Sequence, residues 1–236
     1  MPIEKFTICR NDEVYECFPH LCRTRSGRIL LTYRESNGHV ASEFCRLIVR
    51  YSDDAGHTWS DRNVIIDEDR SDGVLTTWNY PKIQQLEDGR ILLLSESLPW
   101  PPGEWRVEHT ARVSLWFSSD DGINFDDPYR TTVGGICPDQ VTEMPDGRWL
   151  LLTNLRIDGA DRLTQMLHVS QDQGVTWGVP TPMNLDPDHE LDEGSIVVAT
   201  MTGHGLKDPD NAVEHANVEA TTVEPTLDAV KAAIGI

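Results

Sequence analysis

Basic residues are scarce in this sequence. Its 20 lysines and arginines stand against 39 aspartates and glutamates, which gives a formal net charge of -19 at pH 7. No cluster of lysine and arginine is dense enough to meet a row of phosphates, so we expect no nucleic-acid and no membrane partner. Such acidity is typical of a chain kept in solution by its own charge. An anionic substrate would require arginines concentrated in one place.

Cysteines and long apolar runs are also few. The five cysteines are odd in number and none lies in a CxxC pair, so we expect free thiols in a reducing compartment rather than a disulfide framework or a zinc site. The N-terminal stretch MPIEKFTICRNDEVYE lacks the apolar core of a signal peptide. No apolar run approaches membrane-spanning length. We therefore expect a cytoplasmic protein that uses no metal and no organic cofactor.

An internal repeat is what the sequence does contain. The stretches SDDAGHTW, SSDDGINF and SQDQGVTW, which begin at residues 52, 118 and 170, all fit S-x-D-x-G-x-[TN]-[WF]. Ahead of them come SGRILLTY, DGRILLLS and DGRWLLLT, in which the Gly-Arg pair marks a tight turn before an apolar strand. Each turn follows an extended segment that begins near a proline: FPHLCRT, YPKIQQLE and CPDQVTEMP.

The whole repeat reads as strand, turn, strand, long loop, strand, polar loop and short strand. It recurs at roughly 50 to 65 residues, and a repeated four-stranded unit of that length is typical of a β-propeller blade. We predict an all-β fold from this pattern.

The polar loops resemble the Asp-box, or bacterial neuraminidase repeat, of the sialidase superfamily, over about residues 14–197. The resemblance implies a partial sialidase-like β-propeller of about three to three and a half four-stranded blades, in which the Asp-box joins the two outer strands of a blade. Its Asp accepts backbone N–H groups, its Gly permits positive φ and its aromatic ring packs between sheets. These structural roles fall on Asp54, Gly56, Trp59, Asp120, Gly122, Phe125, Asp172, Gly174 and Trp177.

Reactive groups should lie on the side of the propeller opposite these turns. The loops expected there are YRESNGHVASE, ESLPWPPGEWRVEH and NLRIDGADR, together with the connections between blades. The catalytic candidates are Glu35 or Asp139 as the acid/base, with Glu193 as a supporting base. Substrate-binding roles are expected for Arg34, His39, Trp78 and Arg156. Glu96 lies in the second of these loops, but the sequence suggests no catalytic or binding role for it.

The sequence departs from the sialidase pattern at two points. Cys17-Phe18-Pro19 stands where the family has an Arg-Ile-Pro motif, and no nucleophilic tyrosine can be identified. We therefore expect a sialidase-like glycoside hydrolase, exo-acting on sialic acid or a related acidic sugar, that is incomplete or weakly active. Two alternatives stay open: a non-catalytic glycan-binding or scaffold module, and another carbohydrate-active enzyme that uses His39 as acid or base. Each would have a carbohydrate ligand.

The chain changes character after residue 197. In the segment 198–236, TGHGLKDPD and EPTLDAVKAAIGI resemble the C-terminus of threonine synthase, and the second stretch predicts a short helix. No Schiff-base lysine or phosphate loop accompanies it, so pyridoxal phosphate is not expected. The join is interpreted as a chimeric junction or as a divergent tail. Since three blades do not close a ring, self-association through the open blade faces is expected.

Overall fold

The computed structural model describes residues 7–70, 73–99, 110–157 and 163–183. These residues form twelve β-strands, and no helix is found among them. The strands make three antiparallel sheets of four, which confirms the predicted all-β, four-stranded blades. The predicted C-terminal helix and the boundary at residue 197 lie outside the described residues. Within the same ranges, no helix has the length and hydropathy needed to span a bilayer.

Each sheet takes four consecutive strands of the chain and pairs them in chain order. Blade one contains β1 (Tyr15–Arg23), β2 (Ile29–Ser36), β3 (Cys45–Ser52) and β4 (Asn63–Ile66). Blade two contains β5 (Thr76–Gln85), β6 (Ile91–Pro99), β7 (Arg112–Ser118) and β8 (Tyr129–Gly134). Blade three contains β9 (Thr142–Glu143), β10 (Trp149–Arg156), β11 (Leu163–Ser170) and β12 (Thr181–Pro182).

The Gly-Arg pairs close the hairpin between the first two strands of each blade. In blade two, Leu86 N–H donates to Arg90 O at 2.8 Å and Gly89 N–H donates to Leu86 O at 3.0 Å. Gly89 has a φ of 97°, in the left-handed region that favours glycine. The glycines of the other two Gly-Arg turns have φ angles of 96° and 85°. The turn residues therefore set the tight hairpins that the sequence predicts.

The Asp-box forms a turn that is held by its own side chains. Asp54 accepts hydrogen bonds from the backbone N–H and the hydroxyl of Thr58, at 2.8 and 2.6 Å. Ser52 donates its hydroxyl to Asp54 at 2.8 Å and accepts the Gly56 N–H at 2.8 Å. These bonds, led by the Thr58 hydroxyl, lower the pKa of Asp54 to about 2. The turn is thus braced within a few residues of sequence.

The second and third boxes repeat this geometry. Asp120 accepts from the backbone and side-chain nitrogens of Asn124 at 2.9 and 2.6 Å. Asp172 accepts from the backbone and hydroxyl of Thr176 at 2.7 and 2.6 Å. In the first and third boxes the tryptophan indole N–H donates to the carbonyl of the box glycine, at 3.0 Å in both. One side-chain pattern therefore builds all three turns.

The hydrophobic core lies between neighbouring blades. Blades one and two share a buried cluster that includes Leu30, Leu47, Trp78, Leu93 and Trp116. Blades two and three share a second cluster that includes Leu92, Leu94, Leu115, Trp149 and Leu151. Because successive residues of β6 point to opposite faces, Leu93 packs toward blade one while Leu92 and Leu94 pack toward blade three. Every residue of β6 from Ile91 to Leu98 is consequently buried.

The two kinds of turn meet at one edge of the blades. Arg28, from the first Gly-Arg turn, donates Nε to Asp53 Oδ1 at 2.7 Å and Nη1 to Asp121 O at 3.1 Å. Ser26 donates its hydroxyl to Asp121 Oδ2 at 2.7 Å. The Arg28 guanidinium also stacks on Tyr51, 4.3 Å from the ring centroid. These contacts join blade one to blade two at this edge. The loops between the second and third strands of each blade lie at the opposite edge.

Candidate functional site

A buried arginine marks the loop edge of blade one. Arg34 lies near the end of β2, directly across from Cys17 of β1, and is 2% exposed. Its Nη2 donates to the carbonyls of Gly38 and His39 at 3.1 and 2.7 Å, and its Nη1 donates to Asn79 Oδ1 of blade two. Its Nε has no hydrogen-bond partner among the described residues, and none of their ion pairs includes it. The site therefore holds a buried cation without a paired carboxylate in the described part of the chain.

A buried glutamate lies in the neighbouring blade. Glu96 of β6 is 1% exposed and pairs across the sheet with Asn79, which contacts Arg34. Cys137, at the start of blade three, donates its backbone N–H to Glu96 Oε2. Burial raises the pKa of Glu96 to about 7, although these hydrogen bonds and the charge of Arg34 act in the opposite direction. A substantial share of this carboxyl is thus protonated at neutral pH, so it can act as an acid.

Arg34 and Glu96 line one pocket of ≈ 250 Å³. Its polar lining also includes Asn79, and the exposed His39 lies at its rim. The remaining lining is largely apolar and aromatic: Phe18, Val40, Ala41, Tyr80, Leu98 and Ile136. A mostly apolar cavity with a few convergent polar groups, one of them with a shifted pKa, is typical of a ligand site.

A larger cavity of ≈ 540 Å³ lies elsewhere on blade one, against Ile8, Cys9 and Leu21. Its ionisable lining includes Glu16 and His20, both only half-buried. Burial lowers the pKa of His20, which keeps its ring neutral. Since the described lining of this cavity contains no buried charged side chain, the pocket of Arg34 and Glu96 is the better candidate.

Two of the expected site residues fall in this pocket, namely Arg34 and His39. Glu35 does not, because it follows Arg34 in β2 and points to the other face of the sheet. There it is 3% exposed and pairs with Arg62 Nη1 at 2.5 Å. The structure therefore separates Glu35 from Arg34.

The other expected residues are spread around the blades. Asp139 is exposed at the start of blade three, where its N–H donates to Leu152 O at 3.0 Å. Arg156 is half-buried at the end of β10 and does not line the pocket. Glu193 lies outside the described residues.

Trp78 lies in the core between blades one and two. It is 0% exposed, and its ring packs edge-on against Trp116 with the centroids 5.4 Å apart. No face of the indole is open to a ligand, and Trp78, expected to bind substrate, does not line the pocket. Its role is interblade packing.

Sequence reasoning gave no role to Glu96, Asn79, Phe18 or Tyr80. Glu96 carries one signal that could have been used, because it continues the alternation of Leu92 and Leu94 and must therefore lie on the same buried face. A carboxyl placed on a core face at the end of a strand suggests a site. Asn79, Phe18 and Tyr80 depend on the packing of one blade against the next, which sequence spacing does not reveal.

Comparisons with known proteins agree with the fold. The model of the BNR repeat-like domain family matches residues 45–204. No match was found among curated proteins. Three similar solved structures are described next.

A protein of unknown function from Dyadobacter fermentans is 21% identical, with a TM-score of 0.57 over 76% of this chain and 58% of its own. A Hadza microbial sialidase is 21% identical, with a TM-score of 0.55 over 69% of this chain and 36% of its own. An α-L-arabinanase from Penicillium chrysogenum, complexed with arabinobiose, is 18% identical, with a TM-score of 0.52 over 73% and 50%. The chain thus spans less than two thirds of each of these structures.

Proposed function

Because the chain belongs to the family of BNR repeat-like domains, we propose that it is a glycoside hydrolase that acts in the pocket of Arg34 and Glu96. The observation that carries the proposal is Glu96: a carboxyl 1% exposed, in a ligand-sized pocket, with its pKa raised to about 7. The similar folds of a sialidase and an arabinanase support carbohydrate as the ligand.

The proposed role of Glu96 is that of the general acid. A protonated Glu96 would donate its proton to the glycosidic oxygen while the bond from that oxygen to the anomeric carbon breaks. The leaving group departs as an alcohol, and water supplies the hydroxyl that ends on the anomeric carbon. Arg34 and Asn79, which touch each other beside Glu96, would hold the substrate oxygens.

A second group must support the anomeric carbon or activate the water. Within the described lining of the pocket, Glu96 is the sole carboxylate. Of the two residues expected in this role, Asp139 is exposed at the start of blade three and Glu193 lies outside the described residues. Glu35 is not assigned, because its side chain lies on the opposite face of β2 and pairs with Arg62.

The proposed substrate is a terminal acidic sugar, sialic acid or a relative. Its carboxylate would supply the anion that Arg34 lacks among the described residues, where Arg34 Nε also has no hydrogen-bond partner. A pocket of ≈ 250 Å³ suits one sugar unit at a chain end, hence exo-action.

The test uses fluorogenic 4-methylumbelliferyl glycosides of N-acetylneuraminic acid and L-arabinofuranose between pH 4 and 9. We expect the sialoside to be turned over, with kcat falling about tenfold per pH unit above the pKa of Glu96 near 7. Glu96→Gln should lower kcat by about 100-fold or more. Glu35→Gln, an equally buried glutamate on the other face, should retain near wild-type turnover. Undiminished turnover in Glu96→Gln would refute the assignment.

A glycan-binding module is the second candidate function. The observation in its favour is that a single carboxylate and several aromatic and aliphatic side chains make up the described lining. Sugar binding without turnover of either glycoside, at any pH, would support this function over hydrolysis.

A further inference from the structure

Each blade places a strained residue at the same point of its repeat. Phe18, Tyr80 and Cys137 have φ angles of 55°, 49° and 52°, and each directly precedes a proline. Left-handed φ angles are rare for bulky residues, and a following proline further restricts the backbone of the residue before it. Three different side chains adopt this costly conformation at the same position of the repeat. The blades therefore share the backbone conformation at this position and not the residue type.

In blades one and two the strained residue belongs to a β-bulge. The pairing of β1 with β2 shifts between Cys17 and His20, and that of β5 with β6 shifts between Asn79 and Lys82. A bulge re-aims a side chain out of the regular alternation of a strand. Strained backbones of this kind persist where the surrounding structure enforces them, and they concentrate at ligand sites.

The re-aimed side chains form one continuous surface. The rings of Phe18 and Tyr80 stack with their centroids 4.3 Å apart and their planes 30° apart. The Tyr80 phenol interacts with the Cys137 thiol of the next blade. On the other side, the Arg34 guanidinium lies 4.9 Å from the Phe18 centroid. Both aromatic rings are half-buried and line the pocket beside Glu96.

We infer that Tyr80, with Phe18 stacked behind it, forms a stacking subsite for the C–H face of the sugar ring that Glu96 acts on. A sugar ring has hydroxyls around its rim and an apolar C–H face. The pocket has polar side chains that suit the hydroxyls and aromatic side chains that suit the C–H face. Arg34 and Asn79 would face the rim, while Tyr80 would supply the flat apolar surface, because Phe18 lies between Tyr80 and the Arg34 guanidinium. The inference rests on the proposed function for the presence of a sugar in the pocket.

The tryptophans of the same region do not serve this purpose. Trp78 and Trp116 are 0% and 1% exposed in the core between blades one and two. The stacking role therefore falls on Tyr80, which the bulge of blade two brings to the pocket and which Phe18 supports.

The test measures sugar binding by calorimetry, with N-acetylneuraminic acid and arabinobiose as probes. Tyr80→Asn removes the ring and keeps a residue that tolerates positive φ, so the backbone is retained. Phe18→Leu is the second variant. Each should weaken binding of the preferred probe about tenfold and raise KM by a similar factor with kcat little changed, because stacking acts alike on ground and transition states. Tyr80→Phe keeps the ring and should bind like wild type.

Tyr129→Ala is the matched control, since Tyr129 is 44% exposed and does not line the pocket. Thermal melting establishes that every variant is folded. Unchanged affinity in Tyr80→Asn and Phe18→Leu, with turnover in the wild type, would overturn the subsite and leave the hydrolase standing. A tenfold loss of binding in a protein that cleaves no glycoside would support the subsite and refute the hydrolase. Absence of wild-type binding to both probes would refute both.

Discussion

At the scale of single residues, burial sets the chemistry of Glu96. A carboxyl at the surface would titrate near 4.5, whereas burial among Cys137, Asn79 and Arg34 raises the pKa to about 7. Its neighbours supply donors and one positive charge, but they do not fully replace the water that burial removes. The raised pKa of Glu96 therefore also makes the free energy of unfolding depend on pH.

Glu96 should make the protein less stable as pH rises. The folded protein holds more protons at this site than the unfolded chain between pH 4.5 and about 7. The contribution of Glu96 to the free energy of unfolding is therefore full below pH 4.5 and is lost as pH rises to 7, on the order of 1 to 3 kcal/mol. Urea unfolding at pH 5 and pH 8 should show a smaller decrease for Glu96→Gln than for the wild type. Equal decreases in the two proteins would contradict this.

His168 should have the opposite effect. It is 2% exposed between blades two and three, and burial lowers its pKa from 6.5 to about 4. Thr153 donates its hydroxyl to Gly134 O at 2.8 Å, so its oxygen accepts from His168 Nε2 at 2.9 Å, which places a ring proton on Nε2. Stability should fall by about 1 to 3 kcal/mol as pH drops from 6.5 to 4. His168→Gln, compared by thermal melting at pH 7 and 4.5, should show less of this loss; an unchanged loss would place its origin elsewhere.

Only part of the site was predictable at this scale. Arg34 and His39, which line the pocket, were expected because they lie in a loop-proximal stretch rich in polar residues. Glu35, expected as the acid/base, lies on the opposite face of β2 from Arg34, because adjacent strand residues face opposite sides of a sheet. Trp78 looked like a ligand contact because it lies beside polar Asn79, yet its burial depends on Trp116, some forty residues away. Burial of this kind comes from contacts between blades, which the spacing of residues along the sequence does not predict.

At the scale of elements, the Asp-box combines a local turn with a close contact inside its own blade. A Cβ added to Gly174, which has a φ of 89°, would lie 2.9 Å from the Trp149 ring. A Cβ on Gly147, with a φ of 85°, would meet nothing within 4 Å. The two glycines share backbone strain and differ in crowding.

This pair makes a direct comparison. Gly147→Ala should cost about 1 to 2 kcal/mol of unfolding free energy through backbone strain alone. Gly174→Ala should cost about 1 to 3 kcal/mol more, because the rigid indole of Trp149 must shift. Urea unfolding of both variants measures the difference. Equal costs would contradict this, because they would show that the Trp149 ring moves away from the added methyl group without any loss of stability.

The elements themselves were well anticipated by the sequence. The Gly-Arg turns and the Asp-boxes are local motifs, in which the residues that bond to one another lie within about one turn of chain. Ser52, Asp54 and Thr58 can therefore be interpreted from their spacing alone. The bulges at Phe18 and Tyr80 were not anticipated, because a residue before proline usually adopts an extended conformation.

At the scale of the whole molecule, the blades are layers joined by apolar faces. Trp78 bridges the first pair, so Trp78→Ala should destabilise the protein by about 3 to 5 kcal/mol. Val179, which is 91% exposed, provides the control: Val179→Ala should change stability by less than about 0.5 kcal/mol. Thermal and urea unfolding measure both. A small effect of Trp78→Ala would mean that the interface repacks around the cavity.

The number of blades was predicted correctly for the described residues, since each repeat produced one sheet. What covers the outer faces of the three blades cannot be predicted from a local motif. Self-association through open blade faces stays a prediction, which light scattering of the purified chain would decide. Equally, the likeness of residues 198–236 to threonine synthase stays an interpretation of the sequence.

The edge contacts of Arg28 and Ser26 have a consequence for the nascent chain. Both residues leave the ribosome before Asp121, to which they bond and which lies more than ninety positions later. Hairpins within blade one can form as soon as their strands emerge, because their partners are near in sequence. Its edge must wait until most of blade two has been synthesised. Translation speed across blade two therefore sets how long the first blade is exposed to proteases and chaperones before its neighbour covers it.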